Sequence, residues 1–89
     1  MSQTISAVIP RRRTTLRGEV VSVKTVERSA PRTDVTMSDG TGSLVLRFVG
    51  RSTVPGVEDG RSLSVDGTPG WVQGELVMLN PLYSFVDAG

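Results

Sequence analysis

The stretch VTMSDGTGSLVLRFVG, Val35 to Gly50, decides how this chain is read. A glycine-rich turn sits between two apolar runs, and such a pattern suits either a phosphate loop or a hairpin. A Walker loop requires GxxxxGK followed by Ser or Thr, with a helix behind it. No lysine follows Gly42, and the segment behind it alternates as a strand does. A dinucleotide fingerprint requires a third glycine three residues on, where Leu44 or Val45 stands. Asp39-Gly40 between alternating apolar residues is instead a hairpin signal, because glycine accepts a positive φ and aspartate caps its own turn. The hairpin register then places Val35, Met37, Leu44, Leu46 and Phe48 inside. It places Arg32, Asp34, Thr36, Val45 and Arg47 outside.

The same reading extends along the chain, and no helical period of useful length interrupts it. The first strand spans Thr14 to Glu27, with Leu16, Gly18 and Val20 on one face. The phase then flips to Val21 and Val23, which requires a β-bulge near Val20–Val21. Gly18 permits sharp coiling just before it. The second strand runs from Arg32 to Ser38 and the third from Ser43 to Val49. Residues 50–60 form a connection with room for one short helical turn at most. The fourth strand, RSLSVDGT, turns Leu63 and Val65 inward, PGWVQG is a turn region, ELVMLN is the fifth strand, and PLYSFV closes the chain. This order predicts an all-β, five-stranded Greek-key OB-fold barrel with little or no helix between strands 3 and 4. The expected organisation is a flexible basic N-terminal arm at 1–13, the barrel at 14–86, and a C-terminal tail at 87–89.

Composition narrows the function. A chain of 89 residues is one small domain. It has no cysteine and no histidine, which removes disulfides, thiolate metal sites, the commonest general base and every Ser-His-Asp or Cys-His arrangement. The carboxylates Asp34, Asp39, Glu58, Asp59 and Asp66 show no metal-loop spacing. A non-enzyme is expected, with no metal, cofactor or small-molecule substrate. No apolar run is long enough to span a membrane. The basic cluster Arg11–Arg13 follows the weakly apolar part of the N-terminus, the reverse of a secretory signal. The expected location is the cytoplasm.

Charge carries the positive signal. Residues 1–51 hold nine Lys/Arg against four Asp/Glu, and residues 52–89 hold one against five. Arg17, Arg32 and Arg47 share outward parity, so one sheet face is expected to present all three. In an OB barrel the face around strands 2 and 3, flanked by the loops between strands 1–2 and 4–5, is where oligonucleotides lie. Those loops contain Arg28 and Trp71. Arginines track phosphates, and an aromatic gives a base something to stack on, worth about 1–3 kcal/mol. Arg17, Arg28, Arg32 and Arg47 together would give a salt slope near −3 on a single strand.

The segments TLRGEVVSV, SDGTGSLVLRFVG, GRSLSVDGT and GELVMLNPLY resemble nucleic-acid-binding OB domains of the tRNA-anticodon type. They are similar in particular to the wedge domain of RecG-type branch-migration helicases. That domain carries a like strand–DGTG–strand hairpin, and a His-Pro-x-Tyr ending where this chain has Asn80-Pro81-Leu82-Tyr83. The chain also looks like the small free-standing OB-fold proteins of actinobacteria. The likeness spans residues 14–85. It implies single-stranded or branched nucleic acid, DNA or RNA, as partner, with contacts at Arg28, Arg32, Thr36, Arg47 and Trp71. These 89 residues carry no counterpart of the helicase motor domains, so the resemblance implies no ATPase activity for them. The competing expectation is a protein-interaction module, or self-association through an open sheet edge, to which an acidic C-terminal half is suited.

Overall fold

Short alternating runs broken by Gly, Pro and Asp fold into strands because only a pleated sheet gives a period-two pattern one buried face. The computed structural model describes residues 3–27 and 30–86. Seven segments form: β1 (Thr14–Glu27), β2 (Pro31–Ser38), β3 (Ser43–Val49), β4 (Ser62–Gly67), β5 (Pro69–Val72), β6 (Glu75–Leu79) and β7 (Leu82–Phe85). They make one sheet in the order β5-β6-β3-β2-β1-β4-β7.

The two extra segments, β5 and β7, lie just beyond the expected fourth and fifth strands, in PGWVQG and PLYSFV. Only Thr68 separates β4 from β5, and only Asn80-Pro81 separates β6 from β7. At the second break Asn80 adopts a positive φ of 44° and Pro81 has no N–H to give the ladder. β4 pairs β7 and β5 pairs β6, both antiparallel, so the four segments are one long bent hairpin. That hairpin bonds to β1 through β4 and, in parallel, to β3 through β6. The sheet therefore closes on itself as a barrel. One boundary moves: PGWVQG is not all turn, because Pro69–Val72 is strand and only Gln73 and Gly74, with φ of 49° and 83°, make the bend.

The bulge falls where the phase flip requires it, with the β1–β2 register slipping between Val20 and Ser22. Gly18 stands where β1 coils against the end of β2. A Cβ there would lie 2.8 Å from both Met37 Cγ and the Ser38 carbonyl oxygen. Beyond the bulge β1 leaves β4 and pairs only with β2 among the described residues. Val21 and Val23, the apolar pair after the phase flip, are exposed, since that part of β1 overshoots the barrel.

Leu16, Val20, Val35, Met37, Leu44, Leu46, Phe48, Leu63, Val65 and Met78 fill the interior. The connection 50–61 contains no helix. It buries Val54 and Val57 against one end of the core, and the Arg51 carbonyl accepts from the buried Thr33 hydroxyl at 2.9 Å. The other end is covered by residues expected to be a loose arm. Ile5–Ala7 form a single 3-10 turn, Ile5 is buried in the core, and Val8 packs against it. Apolar side chains in ISAVI account for the difference: a barrel this small gains by covering its open end. The Arg11–Arg13 cluster is tied down as well. The Arg11 N–H donates to the Pro69 carbonyl at 2.7 Å, and Arg13 Nε lies 2.7 Å from Asp66 Oδ1. The tail at 87–89 lies outside the described residues.

Candidate functional site

Register turns the outer face of β1, β2 and β3 into a grid. One row is Ser22, Thr36, Val45 and Val77; the next is Lys24, Asp34, Arg47 and Leu79; a third is Val26, Arg32 and Val49. Successive rows lie two residues apart along a strand, about 6.5 Å. Directly opposed side chains on one face are near enough to interact.

The middle row is charged. Arg47 donates twice to Asp34, from Nε at 3.0 Å and from Nη2 at 3.4 Å. The two side chains are only 18% and 16% exposed, so this pair is shielded from solvent far more than an ordinary surface ion pair. Arg32 approaches the same carboxylate, its Nε 3.5 Å from Oδ2. That distance is an ion pair but a poor hydrogen bond, and the Nε donor is buried with no partner of its own. Lys24 stands across from Asp34 on β1 and is exposed. Two arginines thus hold one carboxylate with Lys24 as its cross-strand neighbour, and these four residues carry a surplus of two positive charges.

Next to the charged row lies a cleft of about 400 Å³. Its walls come from three places: Thr36 and Val45 of the sheet, Ile5 and Val8 of the N-terminal segment, and Trp71 and Glu75 of the β5–β6 hairpin. Trp71 is 65% exposed, so most of its indole is free to meet a ligand. The N-terminal wall is fixed by the β2–β3 turn. Asp39 accepts from the Ile5 N–H at 2.9 Å and from the Thr41 N–H at 2.9 Å, and Thr41 Oγ1 accepts from the Ser6 N–H at 3.2 Å. Asp39 caps its own turn as the sequence predicts, and it also holds the N-terminal segment. Burial pushes the Asp39 carboxyl up, but hydrogen bonds from the Thr41 hydroxyl and from the N–H groups of Ile5, Thr41 and Gly42 outweigh it. The carboxyl is held below its ordinary 3.8.

The expected residues divide. Arg32, Thr36 and Arg47 share one outer face, and Trp71 stands at its border, on a strand rather than in a loop. Arg17 is not with them. It points outward where β1 pairs with Ser64 of β4, past the end of β2, and lines a separate groove with Ser38, Asp39 and Gly40. Shared parity along one strand does not mean a shared face once the sheet has curled. Arg28 lies outside the described residues. Lys24 was missed, although the inferred bulge makes it outward. The N-terminal wall was missed too; its signal was the cluster Ile5, Val8 and Ile9 ahead of Pro10. Among the described residues no helix is long and apolar enough to cross a membrane, and no three His, Cys, Asp or Glu side chains gather as a metal site needs.

No family model matches the sequence and no curated protein matches it. Solved structures do match in shape. A crystal structure of a domain of replication protein A from Methanococcus maripaludis superposes with a TM-score of 0.80 at 23% identity, over 98% of this chain and 97% of that one. The solution structure of the second OB-fold domain of replication protein A from Methanococcus maripaludis gives 0.76 at 20% identity, over 100% and 98%. The replication factor A related protein from Methanobacterium thermoautotrophicum gives 0.70 at 19%, over 98% and 92%. With near-complete coverage on both sides, the closed barrel described above is an OB fold.

Proposed function

We propose that this chain is a non-catalytic OB module that binds single-stranded nucleic acid weakly and with little sequence preference. The observation that carries the reading is the meeting, on one OB face, of the Arg32–Asp34–Arg47 cluster and the Trp71 cleft. Phosphates would meet Arg32, Arg47 and Lys24, and one base would enter the cleft. Similarity to replication protein A domains supports a nucleic-acid ligand, and likeness of the DGTG hairpin and Asn-Pro-x-Tyr ending to the RecG-type wedge extends it to branched substrates.

The salt dependence follows from the grid. Among the described residues three cations, Lys24, Arg32 and Arg47, face the strand, and together they give a slope of log K against log salt of about −2. Fluorescence anisotropy of labelled DNA and RNA 12-mers from low to moderate salt measures it. A slope near zero, or no binding at low salt, overturns the proposal.

A second reading rests on a different observation. From Val21 to Glu27, β1 has no strand partner on one edge among the described residues, and it exposes Val21 and Val23 there. Such an edge suits strand addition by a protein partner or a second copy. Concentration-dependent sedimentation tests self-association. A monomer at high concentration removes the homomeric form of this reading.

A further inference from the structure

Resting on the nucleic-acid reading above, we infer that Glu75 makes the Trp71 cleft selective for a base whose pairing edge carries hydrogen-bond donors, guanine above all. Among the described residues Glu75 is the one charged residue lining the cleft, and Ser6, Thr36 and Ser43 add hydroxyl groups to its wall. Among the described residues it forms no ion pair, so its carboxylate is not already spent on an internal cation. Among the described residues no cation lines the cleft, whereas Arg32 and Arg47 sit a row or more away on the same face. A strand laid across this face therefore turns its phosphates toward the arginines and a base into the cleft, which Trp71 (paired with Leu76) and Glu75 (paired with Val72) line from opposite faces of the β5–β6 hairpin.

A carboxylate only accepts hydrogen bonds. The pairing edge of guanine offers N1–H and an N2 amino group side by side, which matches the two carboxylate oxygens. Cytosine and adenine each offer one amino group. Thymine and uracil offer a single N3–H flanked by two carbonyl oxygens, which a carboxylate repels. That edge is free only in a single strand, so the same group discriminates against duplex. The rest of the strand is read through phosphates, so the preference is confined to one position.

The test uses the full chain and dT8 carrying one central dG, dC or dA, with unsubstituted dT8 as reference, all at one low salt concentration. Binding is read both by anisotropy of the labelled strand and by Trp71 fluorescence. The dG strand is expected to bind about fivefold tighter than dT8, with dC and dA between them. Glu75→Gln is expected to lose the dG preference and to bind the dG strand and dT8 with equal affinity. Equal affinities for all four strands, or a dG preference that survives in Glu75→Gln, overturn the selectivity while leaving strand binding in place. Absence of binding to every strand overturns both readings.

Discussion

Asp34 holds the binding cations in place and opposes their ligand, so Asp34→Asn should move stability and affinity in opposite directions. The carboxylate takes two hydrogen bonds from Arg47 and the charge of Arg32, with its own side chain 16% exposed. A hydrogen bond to a charged group contributes about 1.5–3 kcal/mol, and breaking a fully buried pair costs about 3–5. For this partly shielded position the cost is about 2 kcal/mol, and the like charges of Lys24, Arg32 and Arg47 left together contribute to it. In a domain of this size that lowers Tm by about 8–16 °C. For the ligand the sign reverses. A phosphate about 6 Å from a carboxylate is repelled by roughly 0.7 kcal/mol in a water-like dielectric and more near a protein surface. Removing that charge should strengthen single-strand binding by about 1 kcal/mol, roughly fivefold, at low salt. The assay pairs a thermal melt with anisotropy titrations at two salt concentrations, both well below the melt. If Asp34→Asn makes the protein less stable yet no tighter in binding, phosphates do not approach this face.

Trp71→Ala should raise Kd by roughly fivefold to a hundredfold, since it removes one stacking surface, while changing stability by less than about 0.5 kcal/mol because the ring is mostly exposed. Titration and melt together check this, and a large loss of stability would make Trp71 a packing residue instead. Gly18→Ala should cost about 1–3 kcal/mol in urea unfolding, because the new Cβ meets the Ser38 carbonyl oxygen at 2.8 Å and backbone cannot step aside as a side chain can. Acid should release the N-terminal wall. The folded Asp39 carboxyl lies below 3.8, so its stabilising contribution is fully present above that pH and is lost as pH falls through the lower folded value. The Ile5 amide resonance should report the release, and Asp39→Asn should abolish the step; an Ile5 signal unchanged down to about pH 2 would refute it.

Most of the barrel was legible because its inner face obeys strict alternation. Val35, Met37, Leu44, Leu46, Phe48, Leu63 and Val65 are all buried as their parity requires. The β1 bulge was legible for the same reason, as a phase that no regular strand can change. Less accessible was what happens once the sheet closes. Outward parity put Arg17 beside Arg32 and Arg47, but coiling at Gly18 carries Arg17 round to β4. Parity likewise could not show that Asp34 would bind both arginines and lower the effective charge of the face. The N-terminal segment was hidden for another reason. Ile5 and Val8 have no strand or helix period, and only the open end of the barrel gives them a place to be buried.

In the proposed function one outer face, from the Arg32–Asp34–Arg47 row to the Trp71 cleft, meets a single nucleic-acid strand. An amide and indole NMR titration with a short unlabelled DNA or RNA strand tests it most directly. Shifts are expected to concentrate at Thr36, Val45, Arg47, Glu75 and the Trp71 indole N–H, with Ser64 and the Arg17 groove unmoved. Shifts confined to Val21–Glu27, or none at all at low salt, would contradict it.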